Sequence, residues 1–182
     1  MNVQVEVRRT DALDEAALKE VRALLDLAFE GTFSAEDWQH TLGGHHALAR
    51  DGGTLVAHAA VAPRTLWIGP PSGATAYTTG YVEGVAVRST HRRSGLGTVV
   101  MRAVEQVLDR DFELGALSSS TMGLSFYRGL GWSPWRGPTY VAAPGGRERT
   151  ADDDGAVFVR TTRTALDLDA PITCDWRDGD VW

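Results

Sequence analysis

Apolar residues along the chain follow two periods, and the switches between them mark the elements. Residues 3–8 alternate, with Val3, Val5 and Val7 on one face, which predicts a strand. Leu13, Leu18, Val21, Leu24, Leu25 and Phe29 then recur at helical spacing, with Thr10 or Asp11 placed to cap the helix and Gly31 to end it. Ser34 and Asp37 have capping-box spacing ahead of a short helix carrying Trp38, Thr41 and Leu42, closed by Gly43 and Gly44. Residues 47–50 and 54–68 read as strands joined at Asp51, Gly52 and Gly53. The Pro70-Pro71-Ser72-Gly73 turn leads into a third strand over 75–87. Further on, the pattern predicts a helix over 98–108, a strand over 114–117, and a helix over 121–130 with Met122, Leu124 and Phe126 on its apolar side. Strands over 132–141 and 156–161 follow, and the Gly-, Arg- and Asp-rich stretch 144–155 reads as a loop. This mixed order predicts one α/β domain over 1–182, with a central, largely antiparallel sheet flanked by helices.

The most informative stretch is 81–97, where Val82, Val85 and Val87 read as a buried strand, 88–94 as a turn and the following residues as a helix start. A helix start leaves backbone N–H groups unpaired, and glycines at 95 and 97 let a ligand approach them without a Cβ in the way. The helix dipole and two arginines, Arg92 and Arg93, make this an anion site suited to a pyrophosphate. A dinucleotide fingerprint needs a small residue where Val100 stands, and the chain has no Gly-Lys-Ser/Thr of a P-loop. What remains, Arg92-x-x-Gly95-x-Gly97 after a Val-x-Val strand, resembles the acetyl-coenzyme A motif of the GNAT N-acetyltransferases.

Composition narrows the partners. At 182 residues the chain is long enough to bury one core, and it shows no signal-length or membrane-length apolar run, so it reads as soluble and cytoplasmic. Cys174 is the only cysteine, and its neighbours offer no base, so it reads as structural. The five histidines lack zinc-site spacing, so no metal is expected. A net charge of −6 argues against nucleic acid. The excess acid is C-terminal: residues 150–182 hold eight aspartates against three arginines.

Acetyl transfer to an amine needs a base, a polarised carbonyl and a proton for the departing thiolate. Glu83, on the strand beside Gly84, is the candidate base, acting directly or through water. The backbone of Val85, Ala86 and Val87 can align the pantetheine arm as an added strand does, with the Val85 N–H facing the oxyanion. Tyr127, a phenol with an ordinary pKa near 10, is the candidate acid.

Several further segments carry a narrower resemblance. These are Gly80 through Val87, Asp37-Trp-x-His-Thr-Leu-Gly-Gly44, Ala116-Leu-Ser-Ser-Ser120, Trp135-x-Gly-Pro-Thr139, Asp152-Asp-Asp-Gly155 and the ending from Cys174 to Trp182. Together they resemble the aminoglycoside 2′-N-acetyltransferases of mycobacteria and their relatives. The resemblance implies Glu83 as a water-assisted base, Tyr127 as the acid, and coenzyme A contacts from Val85, Ala86, Val87, Arg92, Arg93, Ser94, Gly95, Leu96 and Gly97. It also implies an aminoglycoside site lined by Glu83, Gly84, Ser118, Asp152, Asp153, Asp180 and the carboxylate of Trp182, in a homodimer. Carboxylates lining a cleft concentrate a polycation of this kind. Thr32 stands where an acidic substrate ligand is expected, and the 66–78 hairpin is long, so fine substrate preference stays open. An acetyltransferase for polyamines or other amine metabolites, or a binding module without chemistry, uses the same residues.

Overall fold

The computed structural model describes residues 2–161 and 165–182. The chain folds as two compact units, Met1–Ala62 with Val82–Arg110, and Pro63–Tyr81 with Asp111–Trp182. It passes between the units three times, along the long strands β3 (Thr54–Ile68) and β4 (Thr75–Val87) and again from Arg110 to Asp111.

In the first unit, β1 (Val3–Arg9) pairs antiparallel with β2 (His45–Asp51), and β2 pairs antiparallel with β3 from Thr54 to Val61. Three helices accompany them: α1 (Glu15–Ala28), α2 (Ala35–His40) and α3 (Leu96–Asp111). The cap of α1 is Asp14, whose carboxylate accepts from the Ala17 N–H, rather than Thr10 or Asp11. Those two residues lie in a preceding 3-10 turn, Thr10–Ala12, which consumes the polar residues expected to start the helix. The Ser34 and Asp37 capping box forms as its spacing predicts. Val21, Leu24 and Leu25 of α1 pack with Phe33, Leu48, Leu55 and Ala86. In the part of β4 that belongs to this unit, Val82 and Ala86 are buried, and Val85 and Val87 are only half-buried.

In the second unit, the strand neighbours run β6-β9-β5-β4 and β3-β10-β7-β8. The added strands are β5 (Leu114–Ser118), β6 (Ser133–Pro134), β7 (Thr139–Ala143), β8 (Gly146–Arg149), β9 (Val157–Thr161) and β10 (Ile172–Asp175). Only β4 with β5 and β10 with β7 pair in parallel; the other described pairs are antiparallel. Helix α4 (Leu124–Gly129) follows a 3-10 turn, Thr121–Gly123, and Met122 on that turn is 91% exposed instead of facing the core.

The strand expected over 132–141 is two short strands. They are separated where Gly137 approaches the chain before β10 so closely that a Cβ there would meet the Ala170 carbonyl oxygen at 2.0 Å. The stretch expected as a loop over 144–155 contains β8, paired with β7, and a 3-10 turn at Ala151–Asp153. The remaining addition is β10, seated between β3 and β7, where Ile172 and Cys174 join a core with Leu66, Tyr81, Trp135 and Val141. The Cys174 thiol is buried and pushed up to about 11, mainly by burial, which keeps it protonated and structural.

Candidate active site

In the first unit, the positions read from the sequence lie on β4 and the loop that follows it. Gly84 takes a left-handed φ of 55° inside the strand. A Cβ there would also meet Thr41 Cγ2 at 3.0 Å and Leu25 Cδ2 at 3.3 Å, so only glycine fits on both counts. Glu83 precedes this kink and is half-buried.

The Gly84 carbonyl is held by a buried relay that residue spacing did not reveal. His58 Nδ1 donates to Gly84 O at 2.7 Å, His46 Nδ1 lies 2.9 Å from His58 Nε2, and the Thr10 hydroxyl lies 2.9 Å from His46 Nε2. Burial, then the neighbouring ring, pushes His58 down to about 3; burial, then His45, pushes His46 down to about 4. Both rings are neutral, and because a carbonyl only accepts, it sets the direction of every proton in the chain. Thr10 donates to His46, His46 to His58 and His58 to Gly84.

Beyond β4 the chain makes a 3-10 turn at Ser89–His91, and Arg93 adopts a left-handed φ of 61°. Arg92, Arg93, Ser94 and Gly95 are exposed, Leu96 is buried beneath them, and Gly97 is half-buried. Ser94 Oγ donates to the His91 carbonyl and closes the loop. Gly95 has a φ of 84°, with nothing within 4 Å of its absent Cβ. The first helical bond seen here is Val99 N to Gly95 O, and the first turn of α3 carries no acidic residue. Helix geometry leaves the N–H groups of the opening residues without intrahelical acceptors, facing that open space.

The second unit holds the remaining positions. Ser118 ends β5, and the backbone N–H of Ser119 beside it donates to Ala156 O at 3.0 Å. Tyr127 on α4 packs edge-on against Phe126 and Trp132, at centroid distances of 5.1 and 6.5 Å, and lies 6.0 Å from Phe158. Asp152 and Asp153 sit on the 3-10 turn before β9. Burial, then the charge of Asp180, raises the Asp153 carboxyl above its ordinary value. Trp182 is 2% exposed, and its indole N–H donates to Thr150 Oγ1 at 2.9 Å. Asp154, by contrast, is occupied by Arg149 and by the N–H and hydroxyl of Thr139, and its carboxyl is lowered chiefly by Arg149. Thr32, on the position where an acidic ligand was expected, donates its hydroxyl to Phe29 O at 2.7 Å and finishes the turn after α1.

A family model described as "Acetyltransferase (GNAT) domain" matches residues 9–135, and the chain belongs to the GNAT acetyltransferase family. Over 177 residues it is 49% identical to the aminoglycoside 2′-N-acetyltransferase of Mycolicibacterium fortuitum, covering 95% of this chain and 89% of that protein. Among solved structures it resembles an acyl-CoA N-acyltransferase from Pseudomonas aeruginosa, with TM-score 0.61 and 17% identity over 88% of this chain and 100% of that one. It also resembles the ribosomal-protein-S18-alanine N-acetyltransferase of Escherichia coli, with TM-score 0.60 and 15% identity over 90% of this chain and 97% of that one. The structural likenesses speak for the fold.

Enzymes of this family take their acetyl group from acetyl-coenzyme A. The loop fits that ligand: it has open space over a left-handed glycine, two exposed arginines and a sixteen-residue helix whose first turn bears no acid.

Proposed function

We propose that this acetyltransferase acetylates the 2′-amino group of aminoglycosides and so confers resistance to them. Its work as a single N-acetyltransferase domain, a homodimer and a cytoplasmic enzyme belongs to the same reading. The carrying observation is the tail: the buried Trp182 donates its indole N–H to Thr150, just ahead of the acidic turn, and the charge of Asp180 acts on Asp153. A carboxylate raised by burial and by a like-charged neighbour is the state that an arriving ammonium group relieves. The extent of identity to the M. fortuitum enzyme supports the same substrate.

In this reading Arg92, Arg93 and the backbone from Ser94 to Gly97 bind the pyrophosphate, and the strand backbone of Val85, Ala86 and Val87 holds the pantetheine arm. The bound thioester supplies the acetyl group. Glu83 takes a proton from the 2′-ammonium through water, the Val85 N–H stabilises the developing oxyanion, and the Tyr127 hydroxyl gives a proton to the departing thiolate. Gly84, Ser118, Asp152, Asp153, Asp180 and the Trp182 carboxylate orient the sugar amines. No helix among the described residues is long and apolar enough to cross a membrane.

The test is release of free thiol from acetyl-coenzyme A on adding gentamicin, with NMR of the product to locate the new amide. Acetylation at the 2′-nitrogen is expected. A much higher kcat/KM for a polyamine than for gentamicin would move the assignment to an amine metabolite. Light scattering of the purified enzyme checks the dimer.

A further inference from the structure

Arg64 lies on β3, more than a hundred positions from the tail, and its side chain is 5% exposed. Its guanidinium uses all three nitrogens on one segment. Nε donates to Asp175 Oδ1 at 2.7 Å, one terminal nitrogen to Asp175 O at 2.6 Å, and the other to Val181 O at 2.8 Å. The fork therefore grips the chain where it leaves β10 and again one residue before its end, closing 176–180 into a loop.

Other contacts tighten the same loop. Asp175 Oδ2 accepts from the Thr65 N–H at 3.3 Å, the Cys174 thiol donates to Val181 O at 3.3 Å, and Arg177 Nε donates to Asp180 O at 2.7 Å. Arg64 and Arg177 both lie over the Tyr81 ring, at 4.8 and 5.3 Å from its centroid. Only a planar fork can reach a carboxylate and two separate carbonyls at once.

We propose that Arg64 is a positioning residue for substrate specificity: by pinning the Asp175 and Val181 carbonyls it fixes Asp180 beside Asp153 and seats Trp182, so that the tail forms one wall of the polycation site. The proposal rests on the aminoglycoside reading above. Arg64 touches neither substrate and acts through the tail. Coenzyme A recognition, which draws on β4 and the 92–97 loop, is independent of it.

The experiment uses the full-length enzyme and the variants Arg64→Met and Arg64→Lys, the second keeping charge and approximate size while losing the fork. Two readouts are taken: release of Trp182 by carboxypeptidase, followed by mass spectrometry, and KM for gentamicin and for acetyl-coenzyme A. In Arg64→Met, Trp182 release is expected to speed up by about tenfold and the gentamicin KM to rise by about as much, with the acetyl-coenzyme A KM unchanged in both variants. Lysine should recover part of the loss. Unchanged Trp182 release in both variants, or an equal rise in both KM values in the lysine variant, would overturn the proposal. If the wild-type enzyme proves inactive on gentamicin, the aminoglycoside reading falls, and the specificity role of Arg64 falls with it. Faster Trp182 release would then still establish the clamp on the tail, which keeps the two failures distinct.

Discussion

The loop at 92–97 and the tail at 175–182 are built in opposite ways. The loop is local: a 3-10 turn, a left-handed Arg93, a left-handed Gly95 and the first turn of α3 follow one another along the chain. The tail is assembled at long range, by Arg64 from β3, Thr150 from the segment after β8 and Tyr81 from β4. Backbone suffices for a phosphate, whose recognition depends on N–H groups and open space. A polycation needs charges held at chosen points, and those require a braced scaffold.

The largest effects are expected from the chemistry assigned to each unit. Glu83→Gln is expected to lower kcat/KM by about 10²–10⁴-fold and flatten the acidic limb of its pH profile. Tyr127→Phe should lower kcat within a similar range, about 10²–10⁴-fold, and disturb the alkaline limb. Neither should abolish turnover, because an oriented amine retains the benefit of proximity. Wild-type pH profiles in both variants would remove the two proton-transfer roles.

The difference in construction also explains what was legible in the sequence. The loop was readable because its glycines and arginines lie within six residues, and β3 and β4 because turn residues bound them at Gly53, Pro70 and Gly73. The phase of β4 was less clear, because valines at 85 and 87 suggest a core that Ala86 occupies. Strand β10 was hidden: four residues of mixed polarity after an acidic stretch carry no periodic signal, and the strand forms through pairing with β3 and β7. Asp153, Asp180 and Trp182 came from resemblance to a family ending. Arg64 and the His46 and His58 relay came from neither, because no local spacing encodes a contact across twelve residues, still less across 117.

A smaller effect concerns the loop alone. Gly97→Val should crowd the pyrophosphate and weaken coenzyme A binding about tenfold in calorimetry, roughly 1.4 kcal/mol, with the gentamicin KM unmoved. Unchanged affinity in a folded variant would take the loop out of the site.

The effects on stability have opposite signs in the two units. His46 and His58 sit at about 4 and about 3 when folded, against an ordinary 6.5. On acidification the unfolded chain takes up those protons first. Their contribution is therefore complete above about pH 6.5 and is lost as pH falls toward 4 and then 3. Denaturant midpoints measured from pH 7 to 4.5 should fall, and less so in His58→Gln. Asp153 behaves in reverse: its folded pKa is raised, so its ionised form opposes folding at neutral pH and the burden lifts as pH falls through that value. Asp153→Asn should therefore raise the denaturation midpoint at pH 7, and a lowered midpoint would refute the crowding of Asp153 with Asp180.

The central claim is that the acidic tail recognises the polycation while the loop independently recognises coenzyme A. Calorimetric titration of Asp153→Asn combined with Asp180→Asn tests it most directly, with gentamicin and coenzyme A as separate ligands at low and high salt. Gentamicin affinity is expected to be lower by about tenfold, a loss that shrinks as salt screens the remaining charges, with coenzyme A affinity unchanged. Equal losses for both ligands, or full gentamicin affinity without the two charges, would contradict the claim.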